Sequence, residues 1–270
     1  MSSPFFQYRS VSENDFFVNK KICNGVPILD VSSDRLLDIL RTAQPGNAEY
    51  MVTPNVDHLR LLDELGGRFL DAYENSALIV CDSRVLKIVS KIVPGDIISH
   101  VNPGSDITKN LFGCSWFRQS KVAVIGSSQG DIDKIKDQYG FLDLSLHAPP
   151  MGFIHNEAAV QECVDFVRKI DPDYLLIAVG CPQGELLAYR IFCDLRQNVQ
   201  KLKFSLCIGA SIDFIAGKQK RAPTIFQNIG MEWLYRLATN FSRLKTRYYR
   251  DLVWLCGYII KCYGGKRREV

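Results

Sequence analysis

Six short segments along the chain read as strands, most of them apolar throughout: Tyr50–Thr53, Ala77–Cys81, Lys121–Ile125, Leu142–His147, Tyr174–Val179 and Phe204–Ile208. They are too short for helices and carry no wet face, which predicts strands buried on both sides. Helical spacing fills the gaps. Leu36, Leu37 and Leu40 follow a cap at Ser32 or Ser33, and Leu59, Leu61, Leu62 and Leu65 follow Pro54 and a cap at Asn55. An Asp/Lys-rich helix ends at Tyr139, an amphipathic one spans Glu157 to Lys169, and another starts at Glu185. Residues 1–30 predict short strands or a lead-in, and Val93 to Asp106 a loop before a short helix. Strands alternating with helices from about residue 50 to 208 predict a mostly parallel α/β sheet with helices on both faces.

After residue 208 the pattern changes. Between Gly217 and Arg250 stand eight Lys or Arg (Lys218, Lys220, Arg221, Arg236, Arg243, Lys245, Arg247 and Arg250), and the only acid is Glu232. Trp233, Tyr235, Phe241, Tyr248 and Tyr249 lie among them, with a helix-like pattern from Thr224 to Thr239. Arginine forks suit phosphate oxygens, and Trp and Tyr suit the boundary between apolar and wet regions. The simpler alternative is a solvated basic helix face. Residues 252–263 are apolar and precede Lys266-Arg267-Arg268, which fits a helix lying in a membrane interface; packing on the core or on a second subunit is the other use of such a segment. The chain therefore divides into an α/β core over 1–208 and a basic, aromatic C-terminal appendage over 209–270.

Composition bounds the class. A chain of 270 residues that is 47% hydrophobic buries a sizeable core in one or two domains. The net charge of +4 is mild, so the local concentration of base carries more than the total. Nine scattered cysteines without a C-x-x-C pair favour reduced thiols and a cytoplasmic setting. The first residues lack a signal-peptide core, and no apolar run reaches the about 18 residues that span a bilayer.

Ligands of open parallel sheets bind beyond the carboxyl ends of the strands. Thr53, Asn55, Asp82, Gly126 and the run Gly180 to Glu185 fall there. An aspartate at a strand tip can take a proton from a hydroxyl if it faces a cleft, but pattern alone favours Asp82 as a cap for the next turn. Asn55 likewise reads most simply as a cap. Gly126-x-x-x-Gly130 offers backbone N–H groups at a helix start, but it is not G-x-G-x-x-G, which argues against a dinucleotide-dependent dehydrogenase. His58, His100, His147 and His155 show no metal-ligand spacing. Asp131-Ile-Asp133 sits in a helix's first turn, where acids suit the macrodipole, and Asp171-Pro-Asp173 precedes a strand; both read as structural. There is no G-x-S-x-G elbow.

One set of residues is more particular. Thr53-Pro54-Asn55, Asp82, Gly104-Ser105-Asp106, Gly126, Gly152-Phe153, Gly180-x-Pro182 and Glu185 precede Asp213-Phe214-Ile215-Ala216-Gly217-Lys218-x-x-Arg221-Ala222-Pro223. Glu232-Trp233-x-x-Arg236-Leu237 and Arg247-Tyr248 follow. In these, over roughly residues 20 to 250, the chain resembles the WecG/TagA/CpsF glycosyltransferases, glycosyltransferase family 26. The resemblance implies a Rossmann-like fold of the GT-E type with an appendage that helps close the site at the membrane. It implies an inverting transfer of an N-acetylmannosamine-type or other hexose unit from a UDP-sugar to a polyprenyl-diphosphate-linked saccharide, in bacterial cell-surface or exopolysaccharide synthesis. It places the base on Asp82, and donor or acceptor contacts on Thr53, Asn55, Ser105, Asp106, Gly126, Gln183, Glu185, Arg221 and Arg236. No cofactor or metal is expected, so arginines would stabilise the departing diphosphate. The expected partners are the donor, the lipid-linked acceptor and the inner face of the bacterial cytoplasmic membrane, with no nucleic acid; a homo-oligomer is compatible. Two positions depart from the family's usual pattern: Ser83 stands where Asp-Gly is usual, and Gly180-Cys-Pro-Gln-Gly-Glu185 stands for Gly-x-Pro-x-Gln-Glu. A non-catalytic nucleotide-sugar-binding or scaffolding subunit is the competing reading.

Overall fold

A computed structural model describes residues 19–22, 26–95, 97–196, 199–218, 222–223 and 232–265. Arg221, the start of the 224–239 segment, the first 18 residues and the Lys266–Arg268 tail lie outside the described residues.

The chain enters through an antiparallel hairpin, β1 (Asn19–Ile22) and β2 (Val26–Leu29), and α1 (Ser33–Thr42). The central sheet and its crossovers then follow: β3 (Tyr50–Val52), α2 (Val56–Leu65), α3 (Gly67–Glu74), β4 (Leu78–Ile79), α4 (Arg84–Ile92), α5 (Gly104–Gly113), α6 (Ser115–Arg118), β5 (Lys121–Ile125), α7 (Gln129–Tyr139), β6 (Asp143–His147), α8 (Glu157–Ile170), β7 (Tyr174–Ile177), α9 (Gln183–Leu195) and β8 (Phe204–Cys207). Beyond β8 lie α10 (Ser211–Ile215), α11 (Glu232–Thr239) and α12 (Phe241–Gly265).

The six strands β3 to β8 run parallel in the order β4-β3-β8-β7-β5-β6. Successive strand residues point to opposite faces, and this builds two cores. Val52, Ala123, Ile125, Leu175 and Ile177 pack with residues of α2, α3, α8 and α9. Their neighbours Met51, Val122, Val124, Tyr174 and Leu176 pack with α1, α5, α6 and α7. Burial on both faces is why these strands read as apolar runs.

Three expectations need correction. The segment 77–81 forms only a two-residue strand, because β4 is an edge and pairs on one side; its backbone still follows β3, with the Val80 N–H donating to Val52 O and the Asp82 N–H to Pro54 O. Gly104 to Asp106 is the first turn of α5 rather than loop. The basic run before Arg250 and the apolar segment 252–263 are one continuous helix of 25 residues. Helices α3 and α4, not anticipated from the pattern, cover the β3–β4 end.

The long helix α12 docks on α2 through charge. Arg60, 4% exposed, ion-pairs with Asp57, with Glu64 at 2.6 Å and with Asp251 of α12 at 2.8 Å. From α12, Arg247 reaches Asp57 at 3.3 Å, Arg250 reaches Glu64 at 2.8 Å, and Trp254 donates to Asp63 at 2.7 Å. Part of the basic run is thus spent on holding the appendage rather than on a free cationic face. Leu252, Val253 and Ile260 on the same helix are exposed.

Candidate active site

Where α12 and α11 lean over the carboxyl ends of β3, β4 and β8, a cleft of about 640 Å³ opens, a size that accommodates a substantial organic ligand. Its core wall comes from Thr53, Asn55, Asp82, Ser105, Glu185 and Ser211, and its outer wall from Trp233, Arg236, Lys245, Arg247 and Tyr248.

Asp82 stands at the tip of β4 and is half-buried. It is not the cap of the helix that follows; Ser83 takes that role, its Oγ accepting from the Leu86 N–H at 3.2 Å. This frees the Asp82 carboxylate for other partners. Oδ1 accepts from the Gly104 N–H at 2.9 Å, at the positive end of α5, and the Asn55 side chain also hydrogen-bonds it. Gly104 packs closely here: a Cβ would meet Ile208 O at 3.2 Å and Ser211 Oγ at 3.3 Å, so its neighbours would have to give by a few tenths of an ångström. Burial pushes the Asp82 carboxyl up to about 6; Arg236, the Gly104 N–H and Asn55 oppose the rise, and Glu232 adds to it. The group is therefore ionised near neutral pH but basic enough to accept a proton.

Asn55 has two roles. Its Oδ1 caps α2, accepting from the N–H groups of Asp57 at 3.0 Å and His58 at 3.4 Å, while its side chain also meets Asp82. Thr53 is buried, and its hydroxyl donates to Cys207 O at 3.2 Å, tying β3 to β8 at the cleft floor. Arg236 lies over the Phe214 ring at 4.8 Å and pairs with Glu232 at 3.1 Å. Glu232 also stands 3.8 Å from Arg84.

Glu185, 3% exposed, lies on the floor with His58 and Cys181. Its Oε1 is 3.8 Å from His58 Nδ1, and its Oε2 has no hydrogen-bond partner. Burial holds His58 below the usual histidine range despite Glu185 beside it, and burial with Glu185 pushes the Cys181 thiol well up.

The structure gathers Thr53, Asn55, Asp82, Ser105, Glu185 and Arg236 around one cavity, and leaves Gly126, Asp106 and Gln183 outside its lining. Gly126 follows β5, which two strands separate from β3 and one from β8; its φ of +87° and a would-be Cβ 2.7 Å from Val179 Cγ2 give it a packing role. Asp106 falls in the first turn of α5 and Gln183 opens α9. Both departures from the family pattern fit the local structure. Ser83 adopts extended backbone and caps α4. Gly184 occupies the usual glutamine position, and a Cβ there would sit 2.7 Å from Val179 O, so a side chain in this backbone would force a shift.

Sequence reasoning missed Arg84, Glu232, Lys245 and Arg247 as cleft residues and the meeting of His58 with Cys181 and Glu185. Arg84 directly follows Asp82-Ser83 and could have been found by asking where the next side chain points. No spacing signals the His58 cluster.

Residues 21–269 match the sequence profile described as the Glycosyl transferase WecG/TagA/CpsF family. A relative from Bacillus subtilis (strain 168), named N-acetylglucosaminyldiphosphoundecaprenol N-acetyl-beta-D-mannosaminyltransferase, is 23% identical over 181 residues, 66% of this chain and 66% of its own length. One of the same name from Staphylococcus aureus (strain NCTC 8325 / PS 47) is 23% identical over 181 residues, 65% of this chain and 66% of its own. The matched region thus spans just under two-thirds of either relative. With a profile match across nearly its whole length and the Asp82 cleft at the carboxyl ends of a parallel sheet, the chain belongs to the WecG/TagA/CpsF family of glycosyl transferases.

Proposed function

We propose that this chain is an inverting glycosyltransferase that moves one hexose-type sugar from a UDP-sugar to a polyprenyl-diphosphate-linked saccharide in bacterial cell-surface polysaccharide synthesis. The observation that carries this is Asp82: a carboxylate at the cleft, raised to about 6 by burial and aimed by the Gly104 N–H.

In the reaction, the acceptor hydroxyl gives its proton to the Asp82 carboxylate as its oxygen attacks the anomeric carbon. The bond from that carbon to the diphosphate breaks, UDP leaves with the electron pair, and the configuration inverts. Base catalysis of this kind contributes about 100- to 10,000-fold. Arg236, in the wall opposite the core, is the described cation best suited to the departing diphosphate, with Arg84 and Lys245 contributing positive charge. Arg221 has the same proposed role on resemblance alone. Thr53 and Asn55 fix the floor and the base, and from the cleft lining they would also position sugar or acceptor hydroxyls.

The appendage over 209–270 supplies one wall of the cleft and, in this reading, the membrane contact. No described helix is long and apolar enough to cross a membrane, but Val253 and Ile260 of α12 are exposed, as is Leu252 at the cleft edge, and such residues suit an interfacial helix. The acceptor named for the relatives makes N-acetylglucosamine-diphospho-prenol the first acceptor to try, and a UDP-linked N-acetylmannosamine the first donor.

The test is product analysis. The protein is incubated with a short-chain acceptor of that type and a panel of UDP-sugars, and the acceptor is followed by mass spectrometry. One donor should add a single sugar residue, with inverted anomeric configuration by NMR. An acceptor left unchanged across the panel, with donor binding intact, would favour a binding or scaffolding subunit.

A further inference from the structure

The transfer step has no use for the group of side chains on the cleft floor behind Thr53. His58 comes from the first turn of α2, Glu185 from the first turn of α9, and Cys181 from the turn that leads into α9. Their ligand atoms all lie within 4.8 Å of one another. Glu185 is 3% exposed and its Oε2 lacks any hydrogen-bond partner. A buried carboxylate oxygen without a donor is costly and calls for an explanation. The surroundings only partly answer it: the Cys181 thiol hydrogen-bonds the Glu185 carboxylate, Asp57 adds a second carboxylate nearby, and Arg247 is the opposing cation.

We propose that His58, Cys181 and Glu185 bind a single zinc-class divalent cation on the floor of this cleft. The donor set is one imidazole nitrogen, one sulfur and one carboxylate, which suits zinc and disfavours magnesium or calcium, cations that require mostly oxygen ligands. Three protein ligands with a fourth position left over is the pattern of an open zinc site. Zinc bond lengths of about 2.0–2.3 Å put the edges of a tetrahedron at roughly 3.4–3.7 Å. The 3.8 Å between His58 Nδ1 and Glu185 Oε1 is already close to that. The widest pair of ligand atoms, at up to 4.8 Å, has to close by about an ångström. One rearrangement is required. The Tyr73 hydroxyl now sits 2.8 Å from His58 Nδ1, so it must turn away or the ring must present its other nitrogen. All three ligands line the cleft, so the open position would take water, a hydroxyl or a phosphate oxygen from whatever the cleft holds. This site stands apart from the transferase reading, because binding alone tests it.

Cobalt(II) is the probe, since its absorption reports ligand type. The full-length protein, reduced and freed of metal, is titrated with Co²⁺. One ion per chain should bind with ligand-field bands of tetrahedral intensity and a thiolate-to-cobalt charge-transfer band, and zinc should displace it. Cys181→Ser should abolish the charge-transfer band, and His58→Gln should weaken binding by at least about tenfold. A Cys193→Ser/Cys256→Ser/Cys262→Ser background, which removes three of the more accessible thiols, should leave both signals intact. Thermal melts check that each variant is folded. The proposal is overturned if no stoichiometric cobalt binds, if it binds without the thiolate band, or if the band survives Cys181→Ser.

Discussion

Replacing Asp82 by asparagine should separate catalysis from stability, with effects of opposite sign. Asparagine keeps an oxygen for the Gly104 N–H, which Asp82 Oδ1 now accepts at 2.9 Å, but it cannot take a proton. Transfer should fall by about 100- to 10,000-fold. Stability should move the other way. Burial raises this carboxyl from 3.8 to about 6, so between those values the folded state holds a proton that the unfolded state has lost. The native protein therefore loses stability as pH rises across that window, by at most about 3 kcal/mol, and nothing further above it. Asparagine carries no such charge, so the variant is spared that loss. The assay is urea denaturation of both proteins at about pH 4 and about pH 8, with transfer rates measured on the same samples. The variant should gain 1–3 kcal/mol relative to the native protein, as an order-of-magnitude figure, on going from the acid to the alkaline condition. A pH-independent stability difference would refute the burial argument, and near-native turnover would remove Asp82 from the role of base.

Other consequences are as direct. The acid limb of kcat/KM should lie near pH 6; Arg236→Ala, which removes a cation that holds Asp82 down, should shift that limb upward as well as slow turnover. Arg60→Ala should leave Asp57 and Asp251 with the more distant Arg247 as their shared cation, costing less than the about 3–5 kcal/mol of a wholly uncompensated buried charge, and hydrogen exchange should show α12 released before the sheet. Gly184→Ala forces a Cβ to within 2.7 Å of Val179 O and should cost roughly 1–3 kcal/mol in a denaturant melt. Cutting the chain before Leu252 should reduce co-sedimentation with anionic vesicles; unchanged sedimentation would end the membrane reading of α12.

The sheet was legible because burial on both faces leaves a plain signature: Val122 to Ile125 is apolar at every position since alternate residues feed two different cores. The edge strand β4 was overdrawn because the apolar run 77–81 records burial, whereas strand length depends on having neighbours. At Asp82 the residue pattern alone offered a strand tip, and it was the family resemblance that put a base there. Burial raises its carboxyl, while a glycine N–H from α5, an amide from the cap of α2 and an arginine from α11 aim it and oppose the rise, a set of neighbours that only the fold brings together. The basic appendage was legible as a charge run, but its division of labour was not: Arg250 answers an acid on α2, Arg247 answers one while also lining the cleft, and Arg236 faces the cleft. Gln183 illustrates the converse. A glutamine one position from the usual place reads as a displaced contact; the structure adds that the glycine at 184 avoids a close approach to Val179 O.

The central claim is acceptor-driven transfer with Asp82 as base, and nucleotide release tests it most directly. Native protein and Asp82→Asn are each given UDP-linked N-acetylmannosamine and other UDP-sugars, with and without the lipid-diphosphate-linked acceptor, and free UDP is measured over time. The account predicts UDP release with one donor, only when acceptor is present, and near-abolished in the variant. Release that is independent of acceptor, or equal in the two proteins, would contradict it.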